Sequence, residues 1–319
     1  MSGLRIAGLG KQLPARLVTN DEIAGMTDTD DAWIRSRSGI ETRYFCGEES
    51  LADLACGAAE RAMKDAGVPP EEIGICIVAT ATGDYVTPST AAILQRRLGL
   101  REDIPAFDLN AACTGFIYGL QVMDSMLRSC READCRSTDR YGLLVGAERL
   151  SGIIDPAERS TFVLFGDGAG AAVVKLSEEH RFLSRLGVRG DTEMLFAPKA
   201  DQPEPWLHMN GKGVFRFAAE SIARGIELLE QDSKVAAEDV DYIVCHQANR
   251  RIIEHVRKQR NLPEEKFYMN LQRYGNTSAA SIPLALADMK EEGLLTPGTR
   301  LFLIGFGAGL TRGAAYLEM

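Results

Sequence analysis

Cys113 sits among small residues in Ala111-Ala112-Cys113-Thr114-Gly115-Phe116, where an apolar helical pattern opens after the strand-and-turn segment 105–110. A thiol at a helix N-terminus meets unpaired N–H groups and the positive end of the dipole, which predicts a depressed pKa and a nucleophilic thiolate. The default for a cysteine taken alone is a small buried hydrophobe. His246 directly follows the strand pattern 242–245 in Cys245-His246-Gln247-Ala248-Asn249, at the strand end where α/β sheets present groups to ligands. Asn276, in Tyr274-Gly275-Asn276-Thr277-Ser278, stands between a turn and a new helix; taken singly it reads as a turn residue or N-cap. Together the three supply a nucleophile, a base or hydrogen-bond donor, and a neutral orienting donor, the needs of thioester chemistry. Gly305-Phe306-Gly307-Ala308-Gly309 follows another strand pattern and can turn backbone N–H groups toward an oxyanion, cradle phosphate, or simply turn. Phe165-Gly166-Asp167-Gly168-Ala169-Gly170 precedes a strand rather than following one. A dinucleotide fingerprint does not fit there, and the run is assigned to structure.

The elements that must carry these residues alternate between short β-branched runs and helical-period segments, the pattern of an α/β protein with buried strands. Strands are predicted at 4–9, 73–79, 143–145, 170–174, 242–245, 301–304 and 314–317. Helices are predicted at 51–66, 89–98, 115–127, 217–231, 249–259 and 278–291, several closed by Gly67, Gly99 or Gly293 as left-handed caps. The chain also echoes itself. Ala58-Ala59-Glu60, an acidic turn and the strand 73–78 recur as Ala218-Ala219-Glu220, an acidic turn and the strand 240–245; the segment 168–175 recurs as 311–318, each closing its half. This predicts two duplicated halves, 1–175 carrying the cysteine and 176–319 carrying the histidine and asparagine, although alanine-rich helices and apolar strands also resemble one another by chance.

The 319 residues are 45% hydrophobic and 25% charged, a globular balance able to bury a large core. The net charge of −9 and the lack of a dense Lys/Arg tract argue against nucleic acid as a partner. Neither a signal peptide nor an apolar run of membrane-spanning length is visible. Seven cysteines without a Cys-x-x-Cys pair, with Cys130 and Cys135 lacking a histidine cluster, predict free thiols, a cytoplasmic setting and no structural zinc.

With these segments in order along the chain, the sequence resembles the β-ketoacyl-acyl-carrier-protein synthase III family of the thiolase superfamily, over nearly its whole length. The resemblance implies the thiolase fold, two similar α/β halves in a five-layered α-β-α-β-α body, which usually dimerises. It implies an acyl-CoA primer condensing with malonyl-acyl-carrier-protein to initiate fatty acid synthesis, with coenzyme A thioester as substrate and no cofactor or metal. Cys113 would accept the acyl group; His246 and Asn276 would bind the malonyl thioester carbonyl as carbon dioxide leaves. The N–H groups of Cys113 and of the Gly307-Ala308 turn would hold the oxyanion, Ala308 standing where the family commonly has Gly. Trp33 and Arg159 would sandwich the adenine, assisted by Thr29 and Arg37. Arg216, Arg251 and Lys258 match positions that greet the acidic carrier protein. Thr87, in Tyr85-Val86-Thr87-Pro88-Ser89, occupies a position that reaches the partner subunit's acyl pocket and where some acetyl-selective relatives have Phe, which implies tolerance of primers longer than acetyl.

Asn276 argues against the elongating synthases, which use two histidines, and against thiolases, which use a second cysteine. A synthase III relative serving a secondary product would keep the same three residues. A papain-like Cys-His-Asn hydrolase conflicts with the duplicated α/β pattern, and a non-catalytic acyl-binding protein conflicts with the presence of all three reactive side chains.

Overall fold

The computed structural model describes residues 3–132, 141–198 and 201–319. Among them the strands are β1 (Gly3–Gln12), β2 (Arg16–Thr19), β3 (Thr42–Phe45), β4 (Ile73–Ala79), β5 (Ala106–Leu109), β6 (Tyr141–Glu148), β7 (Gly168–Ser177), β8 (Phe182–Val188), β9 (Leu195–Phe196), β10 (His208–Met209), β11 (Tyr242–Cys245), β12 (Arg300–Gly307) and β13 (Thr311–Glu318). The helices are α1 (Asn20–Ala24), α2 (Asp31–Ser38), α3 (Leu51–Ala66), α4 (Thr90–Arg97), α5 (Gly115–Glu132), α6 (Arg159–Phe162), α7 (Gly211–Ser233), α8 (Arg250–Gln259), α9 (Leu271–Tyr274) and α10 (Ser281–Glu291).

Two sheets form the frame. One runs β1-β7-β6-β4-β5 and the other β8-β13-β12-β11, with the same sequence of antiparallel, antiparallel and parallel pairings. Where the first sheet adds β5 in parallel to β4, the second has a single parallel bridge from Ile243 to Phe267. The segments that echo one another in the sequence fall at equivalent places: α3 and β4 match α7 and β11, and β7 matches β13. β4, an interior strand between β6 and β5, is buried along all seven residues, which is why its sequence is apolar without alternation.

Helix composition follows from layer position. α3 packs on the outer face of the first sheet and α7 on that of the second, each showing one apolar stripe. α5 touches strands of both sheets, and α10 packs against β1 and β7 of the first and β11 of the second. Residues Ser281–Met289 of α10 are buried on every side, as a helix enclosed between two sheets must be. One core cluster accordingly joins Ile75 and Ile77, through Phe116, Ile117 and Leu286, to Leu301 and Leu303. The result is the five-layered thiolase-like α-β-α-β-α arrangement.

Local signals placed the ends. Ser50 and Asp53 form a reciprocal capping box on α3, which closes at Gly67 in the left-handed region. The predicted helix over 278–291 divides into a 3-10 turn, Ser278–Ala280, and α10 proper. The helix predicted over 217–231 starts earlier, with Asn210 accepting from the Gly213 N–H as its cap. The five described cysteines, Cys46, Cys56, Cys76, Cys113 and Cys245, are free thiols; Cys135 and the side chain of Cys130 lie outside the described residues. Among the described residues no group of three or more His, Cys, Asp or Glu side chains gathers as a metal site, and no helix is long and apolar enough to cross a membrane.

Candidate active site

A cavity of about 380 Å³ opens at the strand ends between the two halves, and Cys113, His246 and Asn276 all line it. Each arrives on a different element. β5 leads into Ala112, held at φ +47°, and Cys113 then sits in the 3-10 turn Ala112–Thr114 that runs into α5. Thr114 anchors this turn by donating its N–H and its hydroxyl to the Ala111 carbonyl, and its hydroxyl also reaches Thr311 at 3.0 Å.

The sequence-based expectation of a depressed thiol pKa does not hold. Burial pushes the Cys113 thiol up to about 12; the Ser278 side chain pulls it down, and the nearby Glu148 charge pushes it higher. α5 itself begins only at Gly115, and desolvation outweighs what its dipole returns.

His246 extends from β11, where its N–H donates to the Ile304 carbonyl at 2.7 Å. Its ring is 1% exposed, and burial lowers its pKa to about 3, so the imidazole is neutral at physiological pH. Nδ1 lies 2.7 Å from the Ser281 hydroxyl. That hydroxyl also accepts the Gln247 N–H at 3.4 Å and has one proton to give to Nδ1. When Ser281 donates to Nδ1, the neutral ring carries its proton on Nε2, as a hydrogen-bond donor. The Phe306 ring, edge-on with centroids 5.1 Å apart, fixes the remaining freedom.

Asn276 does the work of a turn residue and also faces the cavity. Its Oδ1 accepts the Ser278 N–H at 2.9 Å, which leaves the Nδ2 amide as the group available to a ligand. Its backbone is gripped by the other half: the Asn276 N–H donates to the Leu164 carbonyl, and the Gly166 N–H donates to the Asn276 carbonyl. The Phe165–Gly170 run assigned to structure is thus part of the mount for Asn276. At Gly275, φ is +66° and a Cβ would stand 2.9 Å from the Leu164 oxygen, so glycine is what allows this approach.

Gly307 and Ala308 line the cavity beside the cysteine. A Cβ on Gly307 would lie 2.9 Å from the Cys113 nitrogen, so the two backbones approach closely here. Ala308 is not among the described residues of positive φ, and Gly309 takes that role at +125°.

Sequence reasoning missed Ser281 and Glu148. Glu148 ends β6, fully buried, and accepts hydrogen bonds from the Thr82 hydroxyl at 2.5 Å, the Ala81 N–H and the Ser278 hydroxyl at 3.0 Å. Burial raises its pKa to about 7. The available signal was a carboxylate terminating an apolar run, Leu143 to Ala147, that reads as a wholly buried strand.

Trp33 and Arg37 line the same cavity. The Arg159 guanidinium lies 4.6 Å from the Trp33 ring centroid and that of Arg37 5.9 Å. The Thr29 hydroxyl is buried without a hydrogen-bond partner. Arg37 also lines a second, wider concavity together with Arg216, Arg251, Lys212 and Arg260. Lys258, exposed in the last turn of α8, does not line it. Thr87 lies in the exposed stretch between Gly83 and Pro88 and not in the cavity of its own chain.

Residues 107–190 match the family described as 3-oxoacyl-[acyl-carrier-protein] synthase III, and residues 230–319 match the C-terminal region of the same family. The β-ketoacyl-[acyl-carrier-protein] synthase III of Clostridium tetani is 40% identical, covering 99% of this chain and 98% of its own. The 3-oxoacyl-[acyl-carrier-protein] synthase III of Aquifex aeolicus superposes with a TM-score of 0.93 at 38% identity, over 99% of this chain and 100% of that one. A priming β-ketosynthase of the R1128 polyketide pathway superposes with a TM-score of 0.89 at 33% identity, over 99% and 96%. The chain belongs to the β-ketoacyl-[acyl-carrier-protein] synthase III family, acyl-transferring condensing enzymes that initiate fatty acid synthesis.

Proposed function

We propose that this chain condenses an acyl-CoA primer with malonyl-acyl-carrier-protein, using Cys113 as acyl acceptor and His246 and Asn276 as the decarboxylating pair. The observation that carries the assignment is the convergence of these three residues, from three separate elements, on one cavity beside the Gly307-Ala308 backbone. The Cys113 sulfur attacks the primer's thioester carbonyl, and the Cys113 and Ala308 N–H groups receive the oxyanion. Coenzyme A leaves. Nε2 of His246 and Nδ2 of Asn276 donate to the carbonyl oxygen of the malonyl thioester, stabilising the enolate as carbon dioxide departs; the enolate carbon then attacks the acyl group and releases the Cys113 sulfur. Both donors are neutral, which suits them to accept developing negative charge without a prior proton transfer.

Trp33 and Arg159 receive the adenine, with Thr29 and Arg37 at the nucleotide end. Support comes from Trp33 and Arg37 lining the cavity and from the unpartnered Thr29 hydroxyl; the Arg159 guanidinium, 4.6 Å from the indole centroid, stands where the base would go and swings aside to admit it. Arg216 and Arg251 meet the anionic carrier protein, supported by their shared concavity next to Arg37; Lys258 plays a lesser part at its edge. The working unit is a cytoplasmic homodimer of chains whose halves are 1–175 and 176–319, supported by β5 at a sheet edge and by the exposed Tyr85 and Val86 beside Thr87. Thr87 then shapes the partner's acyl pocket and admits primers longer than acetyl. The R1128 priming β-ketosynthase, at 33% identity, is less similar than the Clostridium tetani synthase III at 40%, which favours the fatty acid role over a secondary-product one.

Intact-protein mass spectrometry after exposure to a series of acyl-CoAs tests this. The expected result is one acyl group per chain, mapped to Cys113, for acetyl and for several longer primers. Labelling at another residue, or none with any primer, would sink the assignment. Labelling by acetyl-CoA alone would remove the role given to Thr87.

A further inference from the structure

α10 carries two polar side chains toward the part of the site that holds His246 and Asn276. Ser281 meets Nδ1 of His246 at 2.7 Å. Asp288 stands seven residues on, two turns along the same face, and is 1% exposed. Its two carboxylate oxygens take four donors. Lys11 and Tyr274 give to Oδ1, the tyrosine hydroxyl at 3.0 Å; Asn270 and Arg273 give to Oδ2, at 2.8 and 2.7 Å. These donors are of two kinds. Lys11 and Arg273 are cations that reach in from solvent, with side chains 20% and 44% exposed, and they offset the charge of a buried carboxylate. Asn270 and Tyr274 are neutral and buried, and each belongs to the mount of one reactive residue. Tyr274 lies two residues before Asn276. Asn270 occupies the N-cap position of α9 without capping it, its side chain turned to Asp288 instead, while its N–H donates to Gln247 Oε1 at 3.0 Å. Gln247 follows His246 in the chain, and its amide is clamped: Nε2 donates to the Cys245 carbonyl at 2.7 Å and to the Tyr268 carbonyl at 3.2 Å.

We propose that Asp288 is the positioning residue that sets the separation of the His246 imidazole and the Asn276 carboxamide. This rests on the reading of those two side chains as the decarboxylating pair. Their N–H groups must converge on one carbonyl oxygen, a demand that neither residue's own backbone can meet, since His246 leaves the end of β11 and Asn276 the turn between α9 and Ser278–Ala280. One arm runs from Asp288 through Asn270 to Gln247 and ends beside His246; the other runs from Asp288 to Tyr274 and ends beside Asn276. Both start from a single carboxylate on a helix buried on every side, so neither end can drift without breaking a buried hydrogen bond. A misplacement of about 1 Å in such a pair costs roughly 10²-fold in rate. The turn of Cys113 is anchored elsewhere, by Thr114 to Ala111 and Thr311, so acyl transfer to the thiol does not depend on Asp288.

The test measures two activities side by side: carbon dioxide release from the malonyl carrier, resolved into kcat and KM, and single-turnover acylation of Cys113 by mass spectrometry. Tyr274→Phe removes one arm and Asn270→Ala the other. Each should lower kcat for decarboxylation about five- to tenfold, and the double variant and Asp288→Asn about 10²-fold. KM for the carrier and the acylation rate should stay within about twofold. Lys11→Met, which removes a cation and leaves both arms, should lower thermal stability with kcat for decarboxylation held within about twofold. A wild-type kcat in Tyr274→Phe and in Asn270→Ala overturns the proposal. So does a fall of acylation in the same proportion, which marks a general loss of structure, or a KM that rises while kcat holds. An effect of Lys11→Met as large as that of Tyr274→Phe also overturns it, because charge and not the neutral arms would then be at work. If Asp288→Asn does not fold, the two arm variants decide. Asn276→Ala is run alongside: decarboxylation at the wild-type rate there means that the pair itself is misassigned, and the role of Asp288 falls with it.

Discussion

The turn ahead of α5 and the turn ahead of α10 are built alike and carry different chemistry. Each begins with an asparagine whose Oδ1 accepts the N–H two residues on: Asn110 from Ala112 at 3.1 Å, and Asn276 from Ser278 at 2.9 Å. Each then holds a non-glycine residue in the left-handed region, Ala112 at φ +47° and Ser278 at +48°, and makes one 3-10 turn into a central helix. In the first the next residue is Cys113, and in the second it is Ala279. Asn110 is exposed, whereas Asn276 is buried against the cavity. One backbone device, present twice, thus offers a nucleophile in one half and a carboxamide in the other. The strand ends differ in the same way: Thr80 follows β4 and Glu148 closes β6, whereas His246 follows β11 and Phe306 stands near the end of β12. On the assignment proposed above, the first half carries the acyl group and the second holds the enolate.

The sharpest way to break this division is to remove one residue from each turn. Cys113→Ala is expected to abolish acyl-enzyme formation and to lower condensation by at least about 10⁴-fold, while decarboxylation of the malonyl thioester survives within about tenfold. Asn276→Ala is expected to do the reverse, lowering decarboxylation by about 10²- to 10³-fold and leaving acylation within about threefold. Carbon dioxide release and intact mass, measured separately, read the two. Loss of both activities in both variants would mean that the halves do not divide the reaction.

A finer cut concerns Ser281. Without its hydroxyl the His246 Nδ1 loses the partner that sets the tautomer, and decarboxylation should fall by about tenfold, roughly the worth of one buried hydrogen bond, with acylation unchanged. The same neutral histidine carries a stability signature. The unfolded chain binds a proton at His246 below about 6.5, its ordinary value, whereas the native chain resists until about 3. His246 therefore costs stability progressively as the pH falls from 6.5 toward 3. Denaturant melts from pH 7 to pH 4.5 should fall less steeply in His246→Gln than in wild type.

What the sequence made legible follows what local residues can dictate. β4, β11 and α3 were predicted at their observed bounds because a strand buried on both faces must be continuously apolar, and a helix with a capping box and a closing glycine announces its ends. The three reactive residues were legible as types at element ends. Their mounting was not: Leu164 and Gly166 grip Asn276 across about 110 residues of chain, and nothing near either segment records the pairing. The thiol's pKa went the wrong way for a related reason. A helix N-terminus is visible in sequence, whereas the burial that outweighs it belongs to β12 and the turn Ser278–Ala280 closing over the cysteine turn.

The smallest effect is expected where the two halves differ on their outer faces. α7 and α8 gather Arg216, Arg251, Lys212 and Arg260 around a concavity that shares Arg37 with the cavity of Cys113. Arg216 and Arg251 are solvent-facing in part, and screening limits each to a fraction of a kcal/mol. Arg216→Ala or Arg251→Ala should therefore raise KM for the malonyl carrier about two- to fivefold at low salt. The penalty should fade as ionic strength rises, and KM for the acyl-CoA primer should stay unchanged. Lys258→Ala, from a residue outside the concavity, should change KM by less than either. An equal penalty at all three positions would mean that the carrier is attracted by the charge of the whole face; a penalty confined to Arg216 and Arg251 would mean that it docks where the cavity opens.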